Sequence, residues 1–213
     1  MRRILFLVAV VAMAALAGVA AAQDTGLVAK GFKVGLAMYS FTGDDTEFEG
    51  LEPESRMGLA AGGFFTFALS PNFALQPEVL YVMKGAKYEE GGDKLTFKLD
   101  YLDIPVLFKY RFATAGSTRP NLFAGPVASL KMSDKLEAEV DGVEVEMDMP
   151  GDVKGVDFGL VLGGGLDFAM SSTTVVFDFR YTLGLTDWPD VDEGGEDVSV
   201  KNSGWIVALG VAF

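Results

Sequence analysis

The sequence predicts an all-β protein, an eight-stranded antiparallel up-and-down transmembrane β-barrel. Three observations predict it. Beyond residue 30, bulky apolar residues alternate with small or polar ones at a period of two. The connections between the alternating segments are short and long in turn, and most of the acidic residues lie in the long ones. Short turns at one end, long loops at the other and an even strand number are the layout of an outer-membrane barrel.

Each alternating segment is interpreted as one strand. The eight expected strands cover residues 31–42, 56–69, 72–85, 95–112, 120–132, 155–169, 173–186 and 200–213. The last of them shows the rule: Trp205, Val207 and Leu209 share one face, and Ile206 and Ala208 share the other. The expected long loops are residues 43–55, 86–94, 133–154 and 187–199.

The fourth strand departs from the rule, because its bulky residues change phase midway. Leu99 and Tyr101 share one phase, whereas Leu102 and Ile104 share the opposite phase. A slip of one residue moves a side chain to the other face of a sheet. A β-bulge near Asp100–Asp103 is therefore expected to return the bulky residues to one face.

The N-terminus has the features of an export signal. Arg2-Arg3 is a basic start, residues 4–17 are uncharged and apolar, and Ala20-Ala21-Ala22 fits a cleavage site. The apolar core is shorter than the roughly 20 residues that a membrane-spanning helix needs. Residues 1–22 are therefore expected to be a cleaved signal peptide, and residues 23–213 the barrel domain.

The two faces of the strands differ in a way that assigns their surroundings. The small face is rich in Gly and Ala and carries charges of both signs, Asp100 among them, whereas the bulky face carries no acid. A Lys or Arg facing lipid at mid-bilayer costs roughly 2–4 kcal/mol, so the bulky face is expected to meet lipid. The alternative is a soluble barrel that holds a ligand against an inward bulky face.

The small face would then line a lumen that is only just wide enough for side chains. Its charges are expected to pair with each other, because unpaired buried charges are costly. The expected charge network comprises Glu78, Asp103, Lys109, Arg111, Asp157, Asp167, Asp178 and Arg180. This network acts either as a structural plug or as the lining of a narrow polar path.

Composition excludes several classes of function. The 213 residues include 17 basic and 30 acidic side chains, for a net charge of −13, and no His or Cys. So acidic a chain is not expected to bind nucleic acid, because it has too few cations to neutralise the phosphate backbone. The missing His and Cys remove the common general base, the thiol nucleophile and the usual zinc ligands. No enzymatic activity, cofactor or structural metal is expected.

Two long loops carry features of their own. Residues 135–149 (KLEAEVDGVEVEMDM) alternate around Asp141-Gly142, which is a strong hairpin signal. The hairpin either offers an exposed edge to a protein partner or extends the barrel wall into solvent. The last long loop is acidic, so it either binds a divalent cation or forms a solvated, negatively charged cap. Its acids are Asp190, Asp192, Glu193, Glu196 and Asp197.

Three stretches resemble a known family. Trp205–Phe213 (WIVALGVAF) resembles the C-terminal signal read by the outer-membrane assembly machinery, with Trp205 and Phe213 as its aromatic positions. Leu99–Phe112 (LDYLDIPVLFKYRF) and Pro120–Pro126 (PNLFAGP) resemble the PorT-like group of small outer-membrane barrels, and more broadly the OmpX/OmpA type. The resemblance implies the fold and the bacterial outer membrane, but no catalytic motif.

The leading hypothesis is a non-enzymatic outer-membrane barrel with a plugged lumen and a structural or surface-contact role. The alternative is a narrow pore for small solutes or an accessory of outer-membrane secretion. The long loops are expected to be extracellular and both termini periplasmic. The expected partners are outer-membrane lipid and the barrel assembly machinery, and the protein is expected to be a monomer.

Overall fold

A computed structural model describes residues 26–140, 142–149, 153–187, 189 and 199–213. The expected signal peptide, residues 1–22, lies outside these ranges. The strands are Leu27–Thr42 (β1), Glu54–Ala68 (β2), Phe73–Glu90 (β3), Asp93–Arg111 (β4), Thr118–Val140 (β5), Val143–Asp148 (β6), Val156–Met170 (β7), Thr173–Gly184 (β8) and Lys201–Ala212 (β9). In the part of the chain described, no helix has the length and apolar character needed to cross a membrane.

Eight of these strands close into a ring. Neighbouring strands pair antiparallel in the order β4-β3-β2-β1-β9-β8-β7-β5, and the pairing of β4 with β5 joins the two ends. The remaining strand, β6, pairs with the end of β5 and with no other strand among the residues that the structure describes. The predicted eight-stranded antiparallel barrel is confirmed.

The alternation places bulky residues outside and small residues inside. Leu36 on β1 and Leu59 on β2 face each other in register, and both side chains are exposed on the outer wall. Ala37, Ala60 and Ala208 are buried in the interior. The bulky face is therefore the outer surface, as the sequence predicts.

The predicted loop at residues 86–94 is wrong. β3 and β4 continue through it and meet in a two-residue turn at Gly91-Gly92. Both glycines have positive φ, 62° and 107°, a conformation that side chains rarely adopt. The pairing of Lys87, Tyr88 and Glu89 with the start of β4 extends the hairpin beyond the barrel.

The predicted effect of a bulge in β4 is also wrong, because β4 keeps its alternation throughout. The register of the β4–β5 pairing does shift between Asp100 and Tyr101, but the extra residue is Met132 on β5. Leu99 and Tyr101 are fully buried on the inner side. They belong to an apolar cluster with Phe41 at the loop end, so bulky residues can point inward there.

The predicted position of Asp100 on the lumen face is also wrong. Its neighbours Leu99 and Tyr101 point inward, so Asp100 faces outward. Its carboxylate accepts a hydrogen bond from the Tyr81 hydroxyl at 2.7 Å and one from Arg56 Nη1 at 3.3 Å. Tyr81 lies on the outer wall and is partly exposed. The two hydrogen bonds therefore satisfy a carboxylate on the outer surface.

Candidate functional site

A cluster of four buried charges occupies the middle of the lumen. Arg180 Nη1 donates to Glu78 Oε2 at 2.7 Å, and Arg180 Nη2 donates to Asp178 Oδ2 at 2.6 Å. Lys33 Nζ lies 2.9 Å from Glu78 Oε1 and also pairs with Asp178. The four side chains are at most 3% exposed. We call Lys33, Glu78, Asp178 and Arg180 the lumen quartet.

The quartet spans the barrel from wall to wall. Glu78 lies on β3 and Arg180 on β8, which are four places apart in the ring of eight strands and thus on opposite sides. The Arg180 guanidinium also lies over the Phe123 ring of β5, 5.1 Å from its centroid. Two cations and two anions balance, which lowers the cost of burying each of them.

A second ion pair lies between the quartet and the short turns. Lys109 Nζ and Asn121 Nδ2 each donate to Asp167 Oδ1 at 3.1 Å. Arg111 lies on the same inner face of β4, nearer its end. Among the described residues, no ion pair joins Arg111 to a carboxylate.

A third group lies between the quartet and the long loops. Lys84 Nζ lies 2.9 Å from Asp103 Oδ1 and donates to Ser129 Oγ at 3.0 Å. The Tyr101 ring lies 4.9 Å from Lys84 Nζ. Asp157 accepts a hydrogen bond from the Thr186 hydroxyl.

The structure therefore distributes seven of the eight predicted charge residues among three separate groups. The expected pairing of Arg111 is wrong within the described residues, because no carboxylate there lies within ion-pair distance of it.

The structure adds Lys33 and Lys84, which are on the small face by alternation but were not in the predicted network. The alternation of their strands is the signal that identifies them, because it places both lysines on the confined inner face. A cation buried there needs an anionic partner, so both belong with the network. Gln76 is a further polar partner of the quartet. It accepts a hydrogen bond from the Thr66 hydroxyl at 3.1 Å and donates one to Glu78 at 2.7 Å.

The predicted hairpin at residues 135–149 is confirmed as β5 pairing with β6. Together with the extended β3–β4 hairpin it makes a four-stranded sheet beyond the barrel, which we call the projecting sheet: residues 86–90, 93–99, 134–140 and 143–148. Every residue of β6 is exposed. The turn residue Asp141 lies outside the described residues.

One face of the projecting sheet is charged and the other is apolar. Lys98 Nζ donates to Glu146 at 3.0 Å and also pairs with Glu137, and Lys94 donates to Glu139 at 2.9 Å. Hydrogen bonds from Lys135 and Lys98 hold the pKa of Glu146 below its usual range.

The apolar face of the projecting sheet continues into the buried cluster of Phe41, Leu99 and Tyr101 at the loop end of the barrel. Leu95 and Phe97 pack against that cluster, whereas the residues further from the barrel are exposed. The exposed members are Val140, Val143, Val145 and Met147.

The two aromatic positions of the last strand lie on the outer wall. Trp205 stacks on Phe179 with ring centroids 4.9 Å apart. Phe213 exchanges backbone hydrogen bonds with Lys30 at 2.9 and 3.0 Å, so the last residue helps to close the seam between β9 and β1. Its ring lies 6.4 Å from that of Phe32.

The acids of the predicted cation loop lie outside the described residues, so cation binding stays a prediction. They are Asp190, Asp192, Glu193, Glu196 and Asp197. Within the part of the chain that is described, no three acidic side chains are grouped as metal ligands.

An apolar outer wall, a ring of eight antiparallel strands and a charged interior define a small transmembrane β-barrel of the outer-membrane type. The family model described as an outer membrane protein beta-barrel domain matches residues 21–188. The chain belongs to this family, and it is an integral protein of the bacterial outer membrane.

The chain is similar to several solved structures at low sequence identity. The outer membrane protein OprG from Pseudomonas aeruginosa is 13% identical, with 87% of this chain and 95% of that chain covered and a TM-score of 0.50. Neisserial surface protein A is 15% identical, with 86% and 97% covered and a TM-score of 0.47. Ail, the attachment invasion locus protein of Yersinia pestis, is 13% identical, with 87% and 98% covered and a TM-score of 0.40. No curated protein matches the sequence.

Proposed function

We propose that the protein is a non-enzymatic outer-membrane barrel with a plugged lumen that presents its projecting sheet at the cell surface. The observation that carries the plug is the Arg180–Glu78 pair, which joins opposite walls at 2.7 Å with both side chains buried. Ions would have to separate these charges in order to pass. The role that fits is structural support of the envelope, or contact between the projecting sheet and other surfaces.

Conductance in planar lipid bilayers tests the plug. The purified wild-type protein is expected to give no stable unit channels. The double variant Glu78→Ala, Arg180→Ala removes the pair that crosses the lumen and is expected to produce openings. Lys94→Gln is the matched control, because Lys94 pairs with Glu139 on the projecting sheet, and it is expected to stay silent. Stable wild-type channels whose conductance changes in Arg180→Ala would instead support the narrow pore.

The orientation is proposed from the asymmetry of the barrel. Three connections at one end are short, at residues 69–72, 112–117 and 171–172, whereas the projecting sheet rises from the other end. Outer-membrane barrels have short periplasmic turns and longer extracellular loops. The projecting sheet would then lie outside the cell, with both termini in the periplasm. In the described part of the chain the outer edge of β6 has no paired strand, so it would be available to a strand of a partner protein.

Cysteine labelling on intact cells tests this orientation, and the chain has no native cysteine to interfere. Glu144→Cys, on exposed β6, is expected to react with a membrane-impermeant maleimide on intact cells. Ser117→Cys, in an exposed short turn, is the control and is expected to react only after permeabilisation. The reverse pattern would contradict the proposed orientation.

Two further partners follow from the same proposal. Outer-membrane lipid would cover the apolar outer wall. The assembly machinery would read the last strand, with Trp205 and Phe213 as its aromatic positions.

We further propose that the barrel is a monomer, because its eight strands close the sheet on themselves and leave no barrel edge to pair with a second copy.

A further inference from the structure

The lumen contains a cavity of about 450 Å³ at its short-turn end. Its wall includes three cations, Lys109, Arg111 and Arg119, and one acid, Asp167. Phe64 and Val176 supply part of its apolar wall. Cavities of roughly 300–1,000 Å³ that combine an apolar wall with a few polar groups are typical of small-molecule sites.

Two of the three cations lack an acidic partner. Asp167 already accepts hydrogen bonds from Lys109 and Asn121. Arg119 lies directly opposite Asp167 in the β5–β7 register, yet in the described part of the chain neither Arg111 nor Arg119 forms an ion pair. Arg111 Nε is buried, and none of the described residues gives it a hydrogen-bond partner.

The two guanidiniums also line a smaller cavity, of about 160 Å³, beside the turns at residues 71–72 and 112–114. Arg119 is exposed, so a ligand can reach the pair from the turn end. The unpaired cations are thus accessible rather than sealed inside the wall.

The charge of the cavity wall selects the ligand. Three cations and one acid leave a net charge of +2, in a chain whose total charge is −13. Guanidiniums bind phosphate and carboxylate oxygens through paired N–H groups. A phosphomonoester carries close to two negative charges at neutral pH and would balance the wall, whereas a monocarboxylate would leave one positive charge unmatched.

We propose that this turn-end cavity is a binding site for a phosphomonoester. Arg111 and Arg119 bind the phosphate oxygens, and Lys109 stays paired with Asp167 beside them. Phe64 and Val176 contact the organic part of the ligand. The phosphate group arrives either on a small soluble molecule or on a lipid headgroup.

Calorimetric titration with phenyl phosphate tests the proposal, using the full-length barrel in micelles of an uncharged detergent. Wild-type protein is expected to bind phenyl phosphate and not phenol. Arg111→Gln, Arg119→Gln is expected to weaken binding by about tenfold or more, because charge-assisted hydrogen bonds are lost. Lys30→Gln is the matched control: Lys30 is an exposed cation at the same end, outside the cavity, and its loss is expected to leave binding unchanged.

A second titration distinguishes the two sources of phosphate. If the group arrives on a lipid, phosphatidate in mixed micelles displaces phenyl phosphate; if it arrives on a soluble molecule, phosphatidate does not displace it. The proposal is overturned if neither ligand binds wild-type protein, or if Lys30→Gln weakens binding as much as the double variant. Should the double variant fail to fold, Arg119→Gln alone is tested in its place, because Arg119 is exposed. It is expected to weaken binding of phenyl phosphate more than Lys30→Gln does, and an equal effect would overturn the proposal.

Discussion

Replacing Glu78 by alanine is expected to lower the free energy of unfolding by about 3–5 kcal/mol, the cost typical of breaking a buried ion pair. The carboxylate lies 2.9 Å from Lys33 Nζ and 2.7 Å from Arg180 Nη1, and all three side chains are buried. Without it, two buried cations share the single carboxylate of Asp178. Urea unfolding in lipid vesicles, followed by tryptophan fluorescence, measures the change.

Two further variants separate lost charge balance from lost packing. Glu139→Ala breaks the solvent-exposed pair with Lys94 and is expected to cost much less than Glu78→Ala, because water and salt screen that pair. Lys33→Met combined with Glu78→Ala leaves Asp178 and Arg180 as a balanced pair, so it is expected to cost less than Glu78→Ala alone. If Glu78→Ala costs no more than Glu139→Ala, or if the double variant recovers nothing, the quartet does not stabilise the lumen in this way.

The sequence predicts the barrel well because one physical rule acts along the whole chain. Every strand must present one face to lipid and one to a narrow lumen, so the alternation that separates Leu36 from Ala37 repeats in each strand. The rule fails where the outer face no longer meets lipid. Tyr101 and Leu99 point inward at the top of β4, because an apolar cluster with Phe41 fills the space there.

The ion pairs are less predictable than the faces that carry them. Alternation places Lys33 and Glu78 on the inner face but says nothing about their height in the barrel. Height depends on the register of each strand pair, and a closed barrel staggers that register from strand to strand. Only the structure shows that Glu78 lies level with Arg180, four places away around the ring, while Arg111 reaches no carboxylate among the described residues.

Leu36→Arg is expected to cost about 2–4 kcal/mol in lipid vesicles, since Leu36 lies near the middle of β1 on the outer wall. The same substitution on the projecting sheet, Val145→Arg, is expected to change the free energy of unfolding by less than about 0.5 kcal/mol. Val145 is equally exposed, so the two variants differ in surroundings and not in burial within the protein. Urea unfolding of both variants in the same vesicles provides the comparison.

This pair of variants measures where the membrane lies, because an exposed apolar residue tolerates a charge in water but not in hydrocarbon. A soluble barrel would tolerate arginine at both positions, so equal effects would contradict a lipid-facing wall. The outward residues of β1 extend the measurement along the barrel axis. Arginine at Val34 or Leu36 is expected to cost more than arginine at Leu27, near the end of the strand, because the cost falls toward the interfaces. That depth profile would define the two membrane boundaries without any assumption about which end faces the periplasm.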